Sequence, residues 1–413
     1  MKKPSFGLLT LSALCASGAT SLAWADAPYQ QPPATKTYDT VYADVSQSIG
    51  VDNSVVATAV TSDNGNGEVV FYLATGGENA VQFDPGNVHP AKGEMGIPLS
   101  VRSRGLSAVA VDPRTHSVYA AGETFNGTDY DCLIKKYDRN GNQIWSKTHD
   151  FYQGAHDFCR DVAVDGNGDV IVGGARLKSA SSMAKLVKFD ANGNLLAENS
   201  VGIENCGPSL PCSSKITKIS VGSDGRIVAL VKLGWFNWWI GTWDTNLHKM
   251  PGYATYSSSE ADITPFDVAV DNNGNFYAVG WHYVDYNGTS KIHHKLIRFD
   301  EANNVTCEDS QLFGSVSFYS DWNDGWFGVT VSDNGHAYVT GSDQNNIIAM
   351  EYDGVCAPLW KNSAGAIAPL IYNGGYREIG HDIDIDTSGD LHITGQGSTW
   401  SNTHALTLKY SHL

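Results

Sequence analysis

The segment DVAVDGNGDVIVGG, Asp161 to Gly174, returns almost unchanged as DVAVDNNGNFYAVG, Asp267 to Gly280, 106 positions later. A chain that rewrites a short phrase at long intervals is building one structural unit several times, so the period is read before domains are counted. Aligned on this phrase, seven copies emerge: ATAVT at 57–61, AVAVD at 108–112, DVAVD at 161–165, KISVG at 218–222, DVAVD at 267–271, GVTVS at 328–332 and DIDID at 382–386. Their last residues lie 51, 53, 57, 49, 61 and 54 positions apart.

Each unit follows one grammar. A short alternating strand leads into a tight turn such as DGNGD, DNNGN or DTSGD, and a second strand ends in glycine, as in VYAAG, VIVGG, FYAVG, AYVTG and LHITG. A variable loop follows, then a third strand ending in an aromatic residue and Asp, then a second turn such as RNGN and a fourth strand. Short strands separated by Asn/Asp-Gly turns are antiparallel hairpins. Four such strands repeated seven times predict an all-β, seven-bladed β-propeller with four-stranded antiparallel blades.

Residue size agrees with the taper of a blade. The first strands use Ala, Val and Ile, which suit the crowded axis, and the third strands carry Phe83, Tyr137, Phe189, Trp243, Phe299 and Tyr352 further out. The last unit stops after ALTLKY, one strand short. The strand-like stretch Lys36 to Ser46 is therefore expected to add to the last blade and close the ring, which removes an open edge. The expected organisation is a signal peptide over 1–25, a flexible leader over 26–35 and one propeller domain over 36–413.

Units such as CRDVAVDGNGDVIVGG followed by AKLVKFDANGN resemble the bacterial β-propeller repeat family of exported and cell-surface proteins, the SBBP type. The resemblance covers roughly residues 50 to 413. It implies a propeller and an extracytoplasmic setting, and no shared catalytic residues, so it says little about activity.

The N-terminus points to the same compartment. Two lysines precede an apolar run that ends in Ala23-Trp24-Ala25, the pattern of a secretory signal cut before Asp26. A secreted or periplasmic location follows, with attachment at the cell surface an open variant. No later apolar run is long enough for a membrane helix. Formal charge is −17 for the whole chain and −19 without Lys2 and Lys3. Such a balance disfavours nucleic acid and anionic membranes as partners. Six cysteines would remain, an even number that suits disulfides. Cys206 and Cys212 enclose a short Pro/Gly loop. Cys132 and Cys159 both belong to the long-loop side of neighbouring units. Cys307 and Cys356 remain by elimination, on adjacent blades, where distance argues against a bond.

In a propeller of this grammar, short hairpin turns occupy one face, and the longer second-to-third loops and blade connections occupy the other. Long loops on a rigid scaffold are where binding is built, so the expected site is the long-loop mouth of the central channel. Candidate ligand-binding residues there are Arg160, Asp161, Trp235, Trp281, Asp285, Trp322, Asp324 and Trp400. Aromatic platforms beside carboxylates suit sugar rings, although propellers also pack aromatics between blades, the expected role of Trp239 and Trp243. Asp161, Asp267 and Asp382 occupy one position of the repeat. They either ring the channel mouth, where a cation could bind, or cap backbone N–H groups.

The turns do not fit calcium loops. An EF-hand loop needs Gly at its sixth position and Glu at its twelfth, where this chain has Val170 and Arg176. His293 and His294 are adjacent on a strand and point to opposite faces. No metal ligand set, cofactor motif, nucleophile elbow or phosphate loop is present in the sequence. The inventory favours a binding module for a carbohydrate or a surface protein. The alternatives are a polysaccharide lyase or hydrolase at the channel mouth, and a non-catalytic scaffold. A lyase would draw its base, acid and carboxylate-neutralising cation from His156, His282, His381, Tyr283, Tyr376, Arg160 and Arg377, and needs them to converge.

Overall fold

The computed structural model describes residues 34–38, 44–62, 67–85, 105–178, 181–201, 214–233, 237–251, 264–286, 289–311, 324–343, 345–362, 365–374, 377–398 and 403–412. It is all-β, without helices among the described residues, and its strands form seven antiparallel sheets. Six sheets have four strands. Blade four shows three among the described residues, Ser214–Val221, Ile227–Leu233 and Asn237–Trp243, followed by a turn and a single antiparallel bridge between Trp243 and Lys249. The innermost strands touch in sequence around the ring, and the first, Asp44–Val51, also meets the last, Arg377–Ile385, so the molecule is a closed seven-bladed β-propeller.

Closure uses the N-terminus, with one change from the expected boundaries. Ala34–Tyr38 pairs antiparallel with Thr403–Tyr410 and completes blade seven. Blade one begins with Asp44–Val51. The stretch 36–46 is therefore two strands in two blades. The alignment of unit one also shifts by one strand: ATAVT lies in the second strand, Val55–Ser62, and DVSQSIGV is the inner one. Unit one misled because its inner strand carries Ser and Gln where the other units carry Asp or aliphatic residues.

The taper is filled as its geometry requires. Tyr137, Phe189, Trp243, Phe299 and Tyr352 end third strands and are buried between blades. Apolar clusters cross the seams: Val69 and Phe71 of blade one pack with Leu106 and Val118 of blade two. Burying a side chain of this size contributes roughly 1.5–3 kcal/mol, so the seams hold the ring together. The turns are hairpins closed by their own aspartates. Asp165 Oδ1 accepts the N–H groups of Asn167 and Asp169, and Gly168 has φ of +87°. Two disulfides staple neighbouring blades: Cys132–Cys159 joins blades two and three, and Cys307–Cys356 joins blades five and six. The second bond corrects the distance argument, because the outer strand of blade five brings the Cα atoms to 5.8 Å. Cys206 and Cys212 lie outside the described residues.

One irregularity recurs in every blade. Each of the seven inner strands shifts register against its neighbour at one place, leaving Gln47, Ser107, Arg160, Thr217, Phe266, Phe327 or His381 as the extra residue of a β-bulge. The recurring glycine of the second strand, which the structure places inside the strand and not at its end, explains itself here. A Cβ on Gly341 would stand 1.8 Å from the carbonyl oxygen of Gly325, and Gly122, Gly174, Gly280 and Gly395 are equally close to the chain before their own bulges. These five blades need glycine at this point because backbone occupies the space a side chain would take, whereas blades one and four carry Val60 and Val231 there.

Candidate functional site

The bulges place two layers of side chains around the axis. Immediately after the bulge come Ser48, Ala108, Asp161, Lys218, Asp267, Gly328 and Asp382, one per blade. The acceptors among them reach to the next inner strand. Val109 N–H donates to Ser48 Oγ at 3.3 Å, Ile219 N–H to Asp161 Oδ2 at 2.8 Å, Val329 N–H to Asp267 Oδ2 at 2.8 Å and Ile49 N–H to Asp382 Oδ2 at 3.1 Å. These aspartates therefore act as caps, and because they stand at the axis they also ring the channel. One layer deeper, Asp384 Oδ2 takes the N–H of Val51 at 3.1 Å, and Ser220 Oγ takes that of Val270 at 3.1 Å.

Lys218 stands at the aligned aspartate position of unit four, an inversion of charge in a layer whose other charged members are Asp161, Asp267 and Asp382. Its Nζ crosses the channel to within 3.6 Å of Asp382 Oδ2. Burial works against its charge, but Asp382, Asp161 and Asp267 outweigh burial and hold its pKa well above that of a free lysine. The same burial pushes Asp161 up to about 6 and Asp384 to about 7, and raises Asp267 as well. The sequence carried the signal for Lys218 in the alignment of KISVG with DVAVD. Asp384 was visible in DIDID.

The bulge residues form the outer layer, toward the end of each inner strand that receives the blade connections. Those of blades five, six and seven meet: the rings of Phe266 and Phe327 lie 4.8 Å apart and those of Phe327 and His381 6.5 Å apart. All three are partly exposed, giving the mouth an aromatic arc. Burial holds His381 near 4, so its ring is neutral at ordinary pH. On the other side, Arg160 lies over the ring of Phe158 at 5.1 Å. Lys215, paired in register with Lys232, is close enough to both that burial first, then Arg160 and Lys232, lower its pKa to about 8. This crowd of three cations was not foreseen, because Lys215 and Lys232 sit apart in sequence and meet only across a hairpin.

The remaining candidates are dispersed. His156 stacks on Phe158 at 6.4 Å and accepts the Tyr130 N–H, at the seam of blades two and three. His282 is buried in blade five beside His293 and Ser310, where burial lowers its pKa to about 4. His293 and His294 face opposite ways: the His294 ring packs on Trp326 at 4.8 Å and its Nε2 meets the Ser342 carbonyl at 2.9 Å. Trp281 is 7% exposed and packs against Gly325, so in this structure its ring is interior. Asp324 is buried too, close enough to Asp343 that burial and Asp324 together push Asp343 up to about 7. Arg377 is exposed at the start of blade seven. Trp235, Trp322, Tyr376 and Trp400 lie outside the described residues, as do the side chains of Tyr283 and Asp285. Of the lyase candidates whose side chains are described, only Arg160 and His381 share the channel mouth.

No protein-family model and no curated protein matches the chain. Solved structures do match. The polysaccharide lyase Uly1 superposes with a TM-score of 0.57 at 12% identity, over 91% of each chain. YCF48 bound to a D1 peptide gives 0.51 at 12% identity, over 95% of this chain and 99% of that one. A protein from Lactobacillus plantarum gives 0.51 at 11% identity, over 90% of this chain and 97% of that one. At such identities the likeness shows the fold, here a seven-bladed β-propeller, and leaves function to the site.

Proposed function

We propose that this protein is an exported binding module that holds an acidic oligosaccharide at the long-loop mouth of its channel. One observation carries the reading. Arg160, Lys215 and Lys232 crowd together on a chain of formal charge −17, and Lys215 and Lys232 form no ion pair among the described residues. A carboxylate-bearing ligand relieves that repulsion, which is worth most where water is partly excluded. The arc of Phe266, Phe327 and His381 across the mouth offers the apolar faces on which sugar rings stack. The acidic ring beneath keeps an anion at the mouth and out of the channel. The two disulfides and the N-terminal signal pattern support a setting outside the cytoplasm.

A second reading has one observation in its favour. His381 is held neutral by burial and is therefore able to accept a proton, and it shares the mouth with Arg160, the cation a lyase needs beside a uronate carboxylate. One of the similar folds is a polysaccharide lyase, which is in line with this reading.

Calorimetric titration of the full chain with uronate-containing oligosaccharides and their neutral counterparts tests both. Binding confined to the acidic members, weakened tenfold or more in Lys215→Ala, is expected. Equal affinity for neutral sugars, or an unaffected Lys215→Ala variant, would overturn it. Growth of an unsaturated-uronate absorbance during the titration, lost in His381→Ala, would establish the lyase.

A further inference from the structure

Away from the channel, the seam of blades two and three gathers carboxylates that no described cation neutralises. Asp131 lies in the third strand of blade two, Tyr130–Tyr137, and Asp157 in the inner strand of blade three, His156–Val164. Asp150 belongs to the connection between them. Each residue offers an oxygen, and these atoms all lie within 4.8 Å of one another. Asp131 and Asp157 are buried, Asp157 completely, and Asp150 is exposed. Among the described residues none of the three forms an ion pair.

Asp157 is the informative member. Its Oδ2 accepts the Phe151 N–H at 2.7 Å, which anchors the connection, while its Oδ1 is buried with no hydrogen-bond partner among the described residues. A bare carboxylate oxygen in the interior has given up its hydration without a replacement, so such an atom calls for a ligand. Asn126 Nδ2 donates to Asp131 Oδ2 at 3.0 Å and also reaches Asp129, and this orients Asp131 from the outer side. The disulfide Cys132–Cys159, with Cα atoms 5.2 Å apart, begins one residue after Asp131 and ends two after Asp157, so the two strands cannot separate. The site is thus preorganised by a covalent link.

We propose that Asp131, Asp150 and Asp157 form a divalent-cation site of the calcium type at the seam of blades two and three. The donor set is all oxygen, with neither thiolate nor imidazole among the three, which selects hard cations. Carboxylates that approach within 4.8 Å match oxygens spread around one ion at calcium–oxygen distances of about 2.3–2.6 Å. Backbone carbonyls and water complete the shell. Occupation would tie the connection 150–157 to blade two and so fix the entry to blade three, whose inner strand carries Arg160. Protonation is the competing way to relieve the crowding: burial, with Asp150 adding to it, pushes Asp157 up to about 8.

The test uses the full chain, treated with EDTA, dialysed and titrated with calcium chloride while thermal unfolding is followed. At a hundred-fold excess over Kd, Tm is expected to rise by about 3 °C. Asp150→Asn, at an exposed position that tolerates change, and Asp157→Asn are expected to abolish the rise, and Asp157→Asn to unfold no earlier than the wild type without calcium. A wild-type Tm that ignores calcium, or a rise that survives in either variant, would overturn the proposal.

Discussion

The carboxylate of Asp382 in blade seven accepts the backbone N–H of Ile49 in blade one at 3.1 Å, joining residues 333 positions apart. The ring therefore closes twice, at its rim by Ala34–Tyr38 on the last blade and at its axis by this side chain together with Asp384, which takes the Val51 N–H. Asp382 also faces Lys218 across the channel at 3.6 Å. Replacing it with Ala leaves a buried N–H without an acceptor and a buried ammonium short of its nearest counter-charge. A loss of about 3–5 kcal/mol is expected, read as a lower urea midpoint, with Asp382→Asn milder because an amide oxygen still accepts.

The channel charges give a pH test. Asp161, near 6, and Asp384, near 7, hold protons in the folded chain that they release at lower pH when unfolded. Their contribution to stability is full below about pH 4 and is lost as pH rises through 6 to 7. His282, His294 and His381, held near 4, act the other way: their contribution is present above about 6.5 and is lost as pH falls toward 4. A wild-type profile mixes the two, so a difference is the cleaner measurement. The Tm of Asp384→Asn minus that of wild type should be more favourable at pH 8 than at pH 5; a pH-independent difference would count against the assignment.

Lys218→Met removes the one cation of this layer from among Asp161, Asp267 and Asp382. Expected is a loss of about 3–5 kcal/mol at pH 8, shrinking at pH 5.5 as Asp161 and Asp267 take up protons in its place. Chemical denaturation at the two pH values distinguishes this from a simple packing loss, which would be equal at both.

Gly341→Ala should destabilise by about 2–4 kcal/mol or prevent folding, because its Cβ would meet the Gly325 carbonyl oxygen at 1.8 Å. Gly354→Ala, with open space around the new methyl, is the control and should change Tm little.

Each disulfide closes a loop, of 27 residues for Cys132–Cys159 and 49 for Cys307–Cys356. Chain entropy assigns about 4 kcal/mol to each. Non-reducing peptide mapping should recover both pairs, and paired Cys→Ser variants should each unfold earlier by differential scanning calorimetry.

Legibility followed the locality of each constraint. The hairpin aspartates are satisfied within five residues, as Asp165 is by Asn167 and Asp169, so DGNGD announced its turn. The aspartates after the bulge were legible as one repeated position, and their capping role was one of two readings open. The choice needed the next blade, since the N–H of Ile219 reaches Asp161 only across a seam. Trp281 looked like a binding platform in sequence, and packing against Gly325 turned its ring inward.

The sequence by itself determined the unit, the number of blades and the way the ring closes, because strand alternation and tight turns are local demands repeated around the ring, and five of the seven units add the glycine that faces the bulge. Only the tertiary structure decided which side chains meet. Seven inner strands converge on one axis, so Arg160 comes to crowd Lys215, Lys218 reaches Asp382, and Asp131 meets Asp157 beside a disulfide. Those encounters depend on the angle between blades, which is set by the packing of every seam together and is written in no single unit.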